Sequence, residues 1–335
     1  MQGFDVVSVG GAVVDLFVKT HPEIISINSS SVFKREELIA YPVGSKILIE
    51  SLHRDFGGGG FNVGVSLARL GLRVGFLGCV GKDFNGELIM KRMKNENITF
   101  LGHFSNQETG FSIILDTDDE DRTILAFRGA NDYFDFKLVN KKLLRTRWFF
   151  ISSLTREGFE SSKRIVDFAL KHNIKLAFNP STYLARFGFK RLRKIITNLD
   201  VLVLNRVEGS FITELDSVRE MLVWLKDFVK DVVVITDGKN GAFAFDGVFF
   251  YRIKAPQIKV KETTGAGDSF ASTFLYSWIK NKGVVLSLKL GMVNALSVVR
   301  HIGAQTGLLS EKKLLLNFKR LNKKLVVRKS HDFIL

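Results

Sequence analysis

Six short apolar runs separated by stretches of helical length constrain the fold of this chain more than any other feature. They are FDVVSVGG (4–11), VGFLGCVG (74–81), WFFISSL (148–154), KLAFNP (175–180), DVLVLN (200–205) and DVVVIT (231–236). A strand with one wet face alternates apolar and polar residues. These runs barely alternate, so both of their faces are buried. Gly158–His172 and Ser217–Lys230 fall between them at helical length. That punctuation predicts an α/β fold, a doubly wound, mostly parallel sheet flanked by helices. Two regions break the rhythm, 16–56 and 109–129. In the first, Lys46, Leu48 and Glu50 alternate with Ile47, Ile49 and Ser51; the second holds two apolar stretches around the acidic segment DTDDED. Both predict antiparallel strands, hence a small antiparallel β lid of the kind that closes over a site. Four prolines and no low-complexity tract leave no obvious linker. One α/β domain over 1–335 with a lid is therefore expected.

A 46% hydrophobic share with 25% charged residues excludes a disordered chain. The single cysteine, Cys79, has no partner for an internal disulfide, and no Cys/His cluster of metal-binding spacing is present. The first residues carry Asp5 and Asp15 and no basic leader, and no apolar run reaches the ~18 residues of a membrane span. A cytoplasmic location without membrane contact is expected. The net charge of +15 raises the alternative of a binding protein with a basic, polyanion-binding surface. Five basic residues lie in RFGFKRLRK (186–194) and eight in 311–329. In the tail, Leu314, Leu315, Phe318, Leu321 and Leu325 fall at helical spacing, which describes a packed helix with a solvated basic side. Zinc-finger spacings and aromatic-basic RNA signatures are missing, so nucleic acid is not the expected partner.

The stretch KETTGAGDSF (261–270) carries the chemistry. Phe270, Phe274, Leu275, Trp278 and Ile279 make one helical stripe after it, so the glycines precede or form a helix N-terminus. There the unpaired N–H groups and the positive end of the helix dipole suit a phosphate. Asp268 would repel that phosphate unless a hydroxyl group sits between them. A carboxylate that receives the hydroxyl proton while the oxygen attacks phosphorus fits phosphoryl transfer, where positioning and charge neutralisation do most of the work. The competing reading is a glycine turn with Asp268 as a helix cap.

This heptad resembles the C-terminal signature D-T-x-G-A-G-D of the ribokinase-like (PfkB) carbohydrate kinases, with Glu262 in place of the first Asp. GGGGFNVGVSLARLG (57–71), GCVGKDFNG (78–86), NRVE (205–208) and TDGKNG (236–241) resemble four further motifs of that family, in its order. The resemblance implies an ATP- and Mg²⁺-dependent kinase with Asp268 as base. The N–H groups of Gly265, Ala266 and Gly267 would form the anion hole. Asp15, Gly58, Gly59 and Asn62 would bind sugar hydroxyls. Asn205 and Glu208 would organise Mg²⁺, Glu208 through water. Thr236, Gly238 and Gly241 would line the nucleotide site, with Asn294 near the base. Glu262 would take part in a monovalent cation site, with K⁺ the expected ion, and the lid would offer a homodimer surface. Several rivals stay open: Asp15 as a turn cap, Glu208 as a helix cap, and the glycine run as a hinge. A dinucleotide fold is disfavoured because VGGAVVD lacks G-x-G-x-x-G.

The substrate is less legible. GGGGFN lacks the Lys that ribokinases often carry after the first two glycines, which argues against ribose. Ser152 and Ser153 stand near where ribokinases place an acid. Arg128 in FRGAN is a candidate substrate contact that would favour an anionic or keto-acid sugar, with a solvated lid residue as the other reading. Phe104, Phe111 and Phe127 keep a nucleoside kinase open as the alternative.

Overall fold

A computed structural model describes residues 3–28, 35–116 and 122–332. Its ten-stranded sheet runs, in spatial order, Val327–Ser330, Phe250–Ile253, Ala242–Phe245, Val232–Thr236, Val201–Asn205, Lys175–Phe178, Thr146–Ile151, Phe4–Val9, Val74–Leu77 and Thr99–Phe100. The last seven in this order are mutually parallel, and the first three add an antiparallel edge. The near-continuous hydrophobicity of the strands follows from the two cores they separate. Val201 and Val203 face one core, Leu202 and Leu204 the other. The first core is covered by the helices Gly59–Arg69, Ala266–Ile279 and Gly283–Val298, through side chains such as Phe61, Phe274 and Leu288. The second is covered by Glu157–Lys171, Gly188–Ile196 and Val218–Lys226, through Ile165, Leu192 and Leu222. This is the doubly wound arrangement.

A separate four-stranded sheet is built from Val13–Lys19, Ser51–Gly57, Thr109–Asp116 and Arg122–Gly129, beside the hairpin Glu23–Asn28 with Arg35–Ala40. Its outer pairs are antiparallel, but Val13–Lys19 and Thr109–Asp116 run parallel. The lid sheet is thus mixed, because the chain returns to the body between these two strands. The acidic turn after Asp116 lies outside the described residues.

Several local expectations are corrected. Residues 46–50 alternate as a strand should, yet pairing begins only at Ser51. Ser51 is already opposite Lys19, the last residue of its partner, and before it only Glu50 still reaches that strand, its N–H donating to the Lys19 carbonyl at 2.9 Å. VGFLGCVG breaks at Gly78: Val74–Leu77 joins the main sheet, whereas Cys79–Gly81 pairs with His103–Ser105. The tail helix spans Glu311–Leu321 only. Leu325 is buried beyond its end, Leu315 is exposed, and Val327–Ser330 becomes the sheet's edge strand. Asp15 lies inside the strand Val13–Lys19 and caps nothing.

Candidate active site

The carboxyl ends of the parallel strands open into a cavity of about 270 Å³, the usual ligand position in an open α/β sheet. Ser152 and Ser153 follow Thr146–Ile151, Asn179 and Ser181 follow Lys175–Phe178, and Asn205 and Thr236 end their strands; all six line the cavity. Gly59, Gly265, Gly267 and Asp268 line it as well. The chain thus brings the glycine run at 57–60, NRVE and the TGAGD stretch to one place from positions up to 209 residues apart (59 to 268).

Gly265 adopts φ +78 as the N-cap of Ala266–Ile279, a left-handed conformation that favours glycine. A Cβ there would also press on Ala304 at 2.7 Å, whereas one on Gly267 would meet nothing within 4 Å. The first is therefore needed for the turn, and the second leaves the helix's unpaired N–H groups open to the cavity. Asp268 follows in the first turn. It is partly buried and lines the cavity. Burial pushes its carboxyl up to about 6, against the pull of the Asn62 hydrogen bond. Asn62 Nδ2 donates to Asp268 Oδ2 at 2.8 Å.

Glu208 is a helix cap that also lines the cavity. Asn205 Oδ1 accepts from Glu208 N at 2.8 Å and Glu208 Oε2 accepts from Asn205 N at 2.9 Å, a complete capping box on Arg206–Thr213. The same carboxyl lines the cavity, and burial followed by the charge of Asp268 pushes it up to about 8. A buried carboxyl made costlier to ionise by a neighbouring carboxylate suits a cation or a proton beside it.

Other expected residues sit around this cavity. Asp15 is buried on the lid strand, opposite Asp55, and is absent from the cavity lining. Burial is the main cause pushing it up to about 6; Asp55 and Glu262 add to the shift and a bond from Ser112 opposes it. A Cβ on Gly57 would collide with Asp15, and one on Gly58 (φ +92) with the Gly11 carbonyl. The glycine run is thus the close crossing where the lid meets the body, not a free hinge. Glu262 is buried, and its Oε1 accepts from Thr264 N and Oγ1, both at 2.8 Å. Thr236 borders the cavity, whereas Gly238 (φ +47) and Gly241 (φ +98) shape the turn beyond it.

Two placements differ from expectation. Asn294 is fully buried, with Nδ2 donating to Thr273 Oγ1 at 2.7 Å and Oδ1 accepting from Leu309 N at 3.0 Å. It ties two helices to the following loop and has no surface for a base. Arg128 lies outside the cavity, at the lid's end. Its Nε donates to Asp132 Oδ1 at 3.1 Å and its guanidinium stands 5.7 Å from the Tyr183 ring centre. Asp132 also binds Arg156 Nε at 3.3 Å and accepts from Thr155 Oγ1. Arg156, 75% exposed and at φ +50, was not singled out from sequence, nor were Asn179, Ser181 and Gln305. Asn179 and Ser181 carry the general signal of following a buried parallel strand; the other two carry none. The basic segment 186–194 lines a shallow hollow of about 540 Å³ on the outer helices, with Lys163, away from this site.

The family model for pfkB family carbohydrate kinase matches residues 31–311. The chain is similar to the ribokinase of Lactococcus lactis, at 29% identity over 79% of this chain and 87% of that protein. It is also similar to the 5-dehydro-2-deoxygluconokinase of Bacillus subtilis, at 26% identity over 89% of this chain and 90% of that protein. Among solved structures, the nucleoside kinase of Methanocaldococcus jannaschii shares the fold with a TM-score of 0.78 at 22% identity, over 95% of this chain and all of that one. With the match spanning most of its length and the motifs gathered at one cavity, this chain belongs to the pfkB family of carbohydrate kinases, which transfer a phosphoryl group from ATP to a sugar.

Proposed function

We propose that this kinase phosphorylates a hydroxymethyl group of a sugar that carries an acidic group. The observation that supports this reading is the cluster at the lid's end, where two guanidinium groups, Arg128 and Arg156, share the single carboxylate Asp132. One carboxylate neutralises one arginine, and guanidinium groups suit bidentate binding of a further carboxylate. The cluster adjoins the cavity through its chain neighbours. Thr155 lies two residues beyond Ser153 and Tyr183 two beyond Ser181, and these serines bond each other at 2.6 Å in the cavity wall. The related 5-dehydro-2-deoxygluconokinase acts, by its name, on a sugar acid.

In this reading Asp268 takes the proton of the acceptor hydroxyl as its oxygen bonds to the γ-phosphorus and the bond to ADP breaks. The N–H groups of Gly265, Ala266 and Gly267 receive the charge on the transferred group. Asp15 and Asn62, with the backbone at Gly58 and Gly59, hold the sugar hydroxyls. Thr236 and the turn through Gly238 and Gly241 hold the nucleotide. Asn205 and Glu208 fit Mg²⁺, since an oxygen donor set with a carboxyl pushed up by burial is one a hard cation relieves. Bound there, the ion neutralises phosphate charge. Glu262 is the residue we assign to a monovalent cation, K⁺, and turnover in potassium should exceed turnover in a bulky organic cation. The whole chain acts as one kinase domain with its lid, in the cytoplasm; among the described residues no helix is long and apolar enough to cross a membrane.

An ADP-release assay over pentoses, hexoses, keto-sugar acids and nucleosides tests the substrate. Sugar acids should turn over fastest. Faster turnover of a neutral sugar removes the acidic-group reading, and a preference for nucleosides establishes the alternative.

A further inference from the structure

Asn62 touches Asp268, yet the two ends of an amide are nearly the same size, so something must decide which end faces the carboxylate. We propose that Gln305 is a positioning residue for phosphoryl transfer, holding the Asn62 amide with its Nδ2 towards Asp268. The inference rests on the reading of Asp268 as the base.

The geometry is a polarised chain. Arg92 Nε donates to Gln305 Oε1 at 3.4 Å, Gln305 Nε2 donates to Asn62 Oδ1 at 3.2 Å, and Asn62 Nδ2 donates to Asp268 Oδ2 at 2.8 Å. An arginine can only donate and an ionised carboxylate can only accept, so the two ends impose one direction on both amides. Gln305 is fully buried and Asn62 is 4% exposed, so neither has bulk water as an alternative partner. The segment carrying Gln305 is itself anchored, since Arg69 Nη1 donates to the Gln305 and Leu308 carbonyls at 2.8 and 3.1 Å. Glu96 pairs with both Arg69 and Arg92. On the cavity side, Glu208 is the ionisable group facing Asp268. With Oδ2 occupied by the Asn62 donor, Oδ1 is the oxygen left to take the acceptor proton, and it lies on the side of Gly59.

Reversing the donor tests this. In Gln305→Glu the carboxylate keeps its size and gains a charge partner in Arg92, but it can only accept. The Asn62 amide must turn over and present Oδ1 to Asp268. Leaving such buried polar groups opposed costs about 1–3 kcal/mol, or roughly 5- to 150-fold in rate. Gln305→Glu should therefore melt within a few degrees of wild type, lose kcat by about 10- to 100-fold and keep its KM for ATP. Gln305→Met, which neither donates nor forces the flip, should lose less. In an Asn62→Ala background, Gln305→Glu should change kcat by less than about two-fold, because the intermediary is gone. Wild-type kcat in Gln305→Glu, or an undiminished loss without Asn62, overturns the proposal. The Asn62 side-chain amide signal in ¹⁵N-labelled protein reads the same bond with no acceptor present. It should move in Gln305→Glu, and an unmoved signal overturns the inference. If Asp268→Asn keeps its turnover, the base assignment fails, whereas the Asn62 signal reads the Gln305 contact independently of that outcome.

Discussion

At the residue scale the site is governed by carboxyls held where ionisation is costly. Asp268 and Asp15 are pushed up to about 6 and Glu208 to about 8, in each case chiefly by burial. A carboxyl whose folded pKa exceeds its unfolded one contributes stability that is complete below the unfolded value and lost as pH rises through the folded value. The nucleotide-free protein should therefore melt at a lower temperature at pH 8.5 than at pH 5. Asp268→Asn should recover part of that loss, about 1–2 kcal/mol after allowing for its opening to the cavity. The same substitution should nearly abolish turnover while ATP binding, followed by calorimetry, persists. A base must be ionised to act, so kcat/KM should fall as pH drops below about 6. Stability and activity thus move in opposite directions at one side chain.

At the element scale, two of the crossings that join the lid to the body are made by few groups. Asn131 is buried beside the first. Its Oδ1 accepts from Ala12 N at 3.0 Å, and its Nδ2 donates to the carbonyls of Ala12 and Arg128, both at 3.1 Å. It therefore ties the link between Phe4–Val9 and Val13–Lys19 to the exit of Arg122–Gly129. Asn131→Ala leaves those backbone groups unpaired and should cost about 1–3 kcal/mol, with a rise in KM for the sugar larger than that for ATP. The second crossing is at Gly58, where both the φ of +92 and the Gly11 carbonyl exclude a side chain. Gly58→Ala should lower sugar affinity or expression. At the lid's end, Arg156 holds a left-handed backbone conformation that arginine seldom adopts. Arg156→Ala should raise KM for a sugar acid by about ten-fold or more, as loss of a charge-assisted hydrogen bond predicts, and leave KM for a neutral sugar unchanged.

At the scale of the whole molecule, large exposed apolar side chains gather on the lid and its connections: Ile25, Leu38, Leu48, Leu52, Leu125 and Phe127. A second copy of this chain is the partner we assign to them. Sedimentation should find a dimer, and Leu125→Glu a monomer.

The fold class was legible in sequence because a strand between two helical layers must be apolar on both faces, as Val201 to Leu204 are. The helix start at Gly265 was legible because a left-handed turn and an open backbone demand glycine there. The alternation at residues 46–50 misled, since a strand needs a partner and the partner had already ended at Lys19. Asn294 misled because a buried asparagine reads like any other polar residue until its three-way bonding is seen. Sequence alone therefore determined what depends on one residue's own backbone and on local periodicity: the parallel core, the glycine turns, and Asp268 beside a helix start. Tertiary structure alone decided which distant groups meet. Asn62 against Asp268, Gln305 behind Asn62, and Arg156 beside Arg128 are contacts among helix starts, a strand end and loops far apart in sequence, and no periodicity along the chain encodes them.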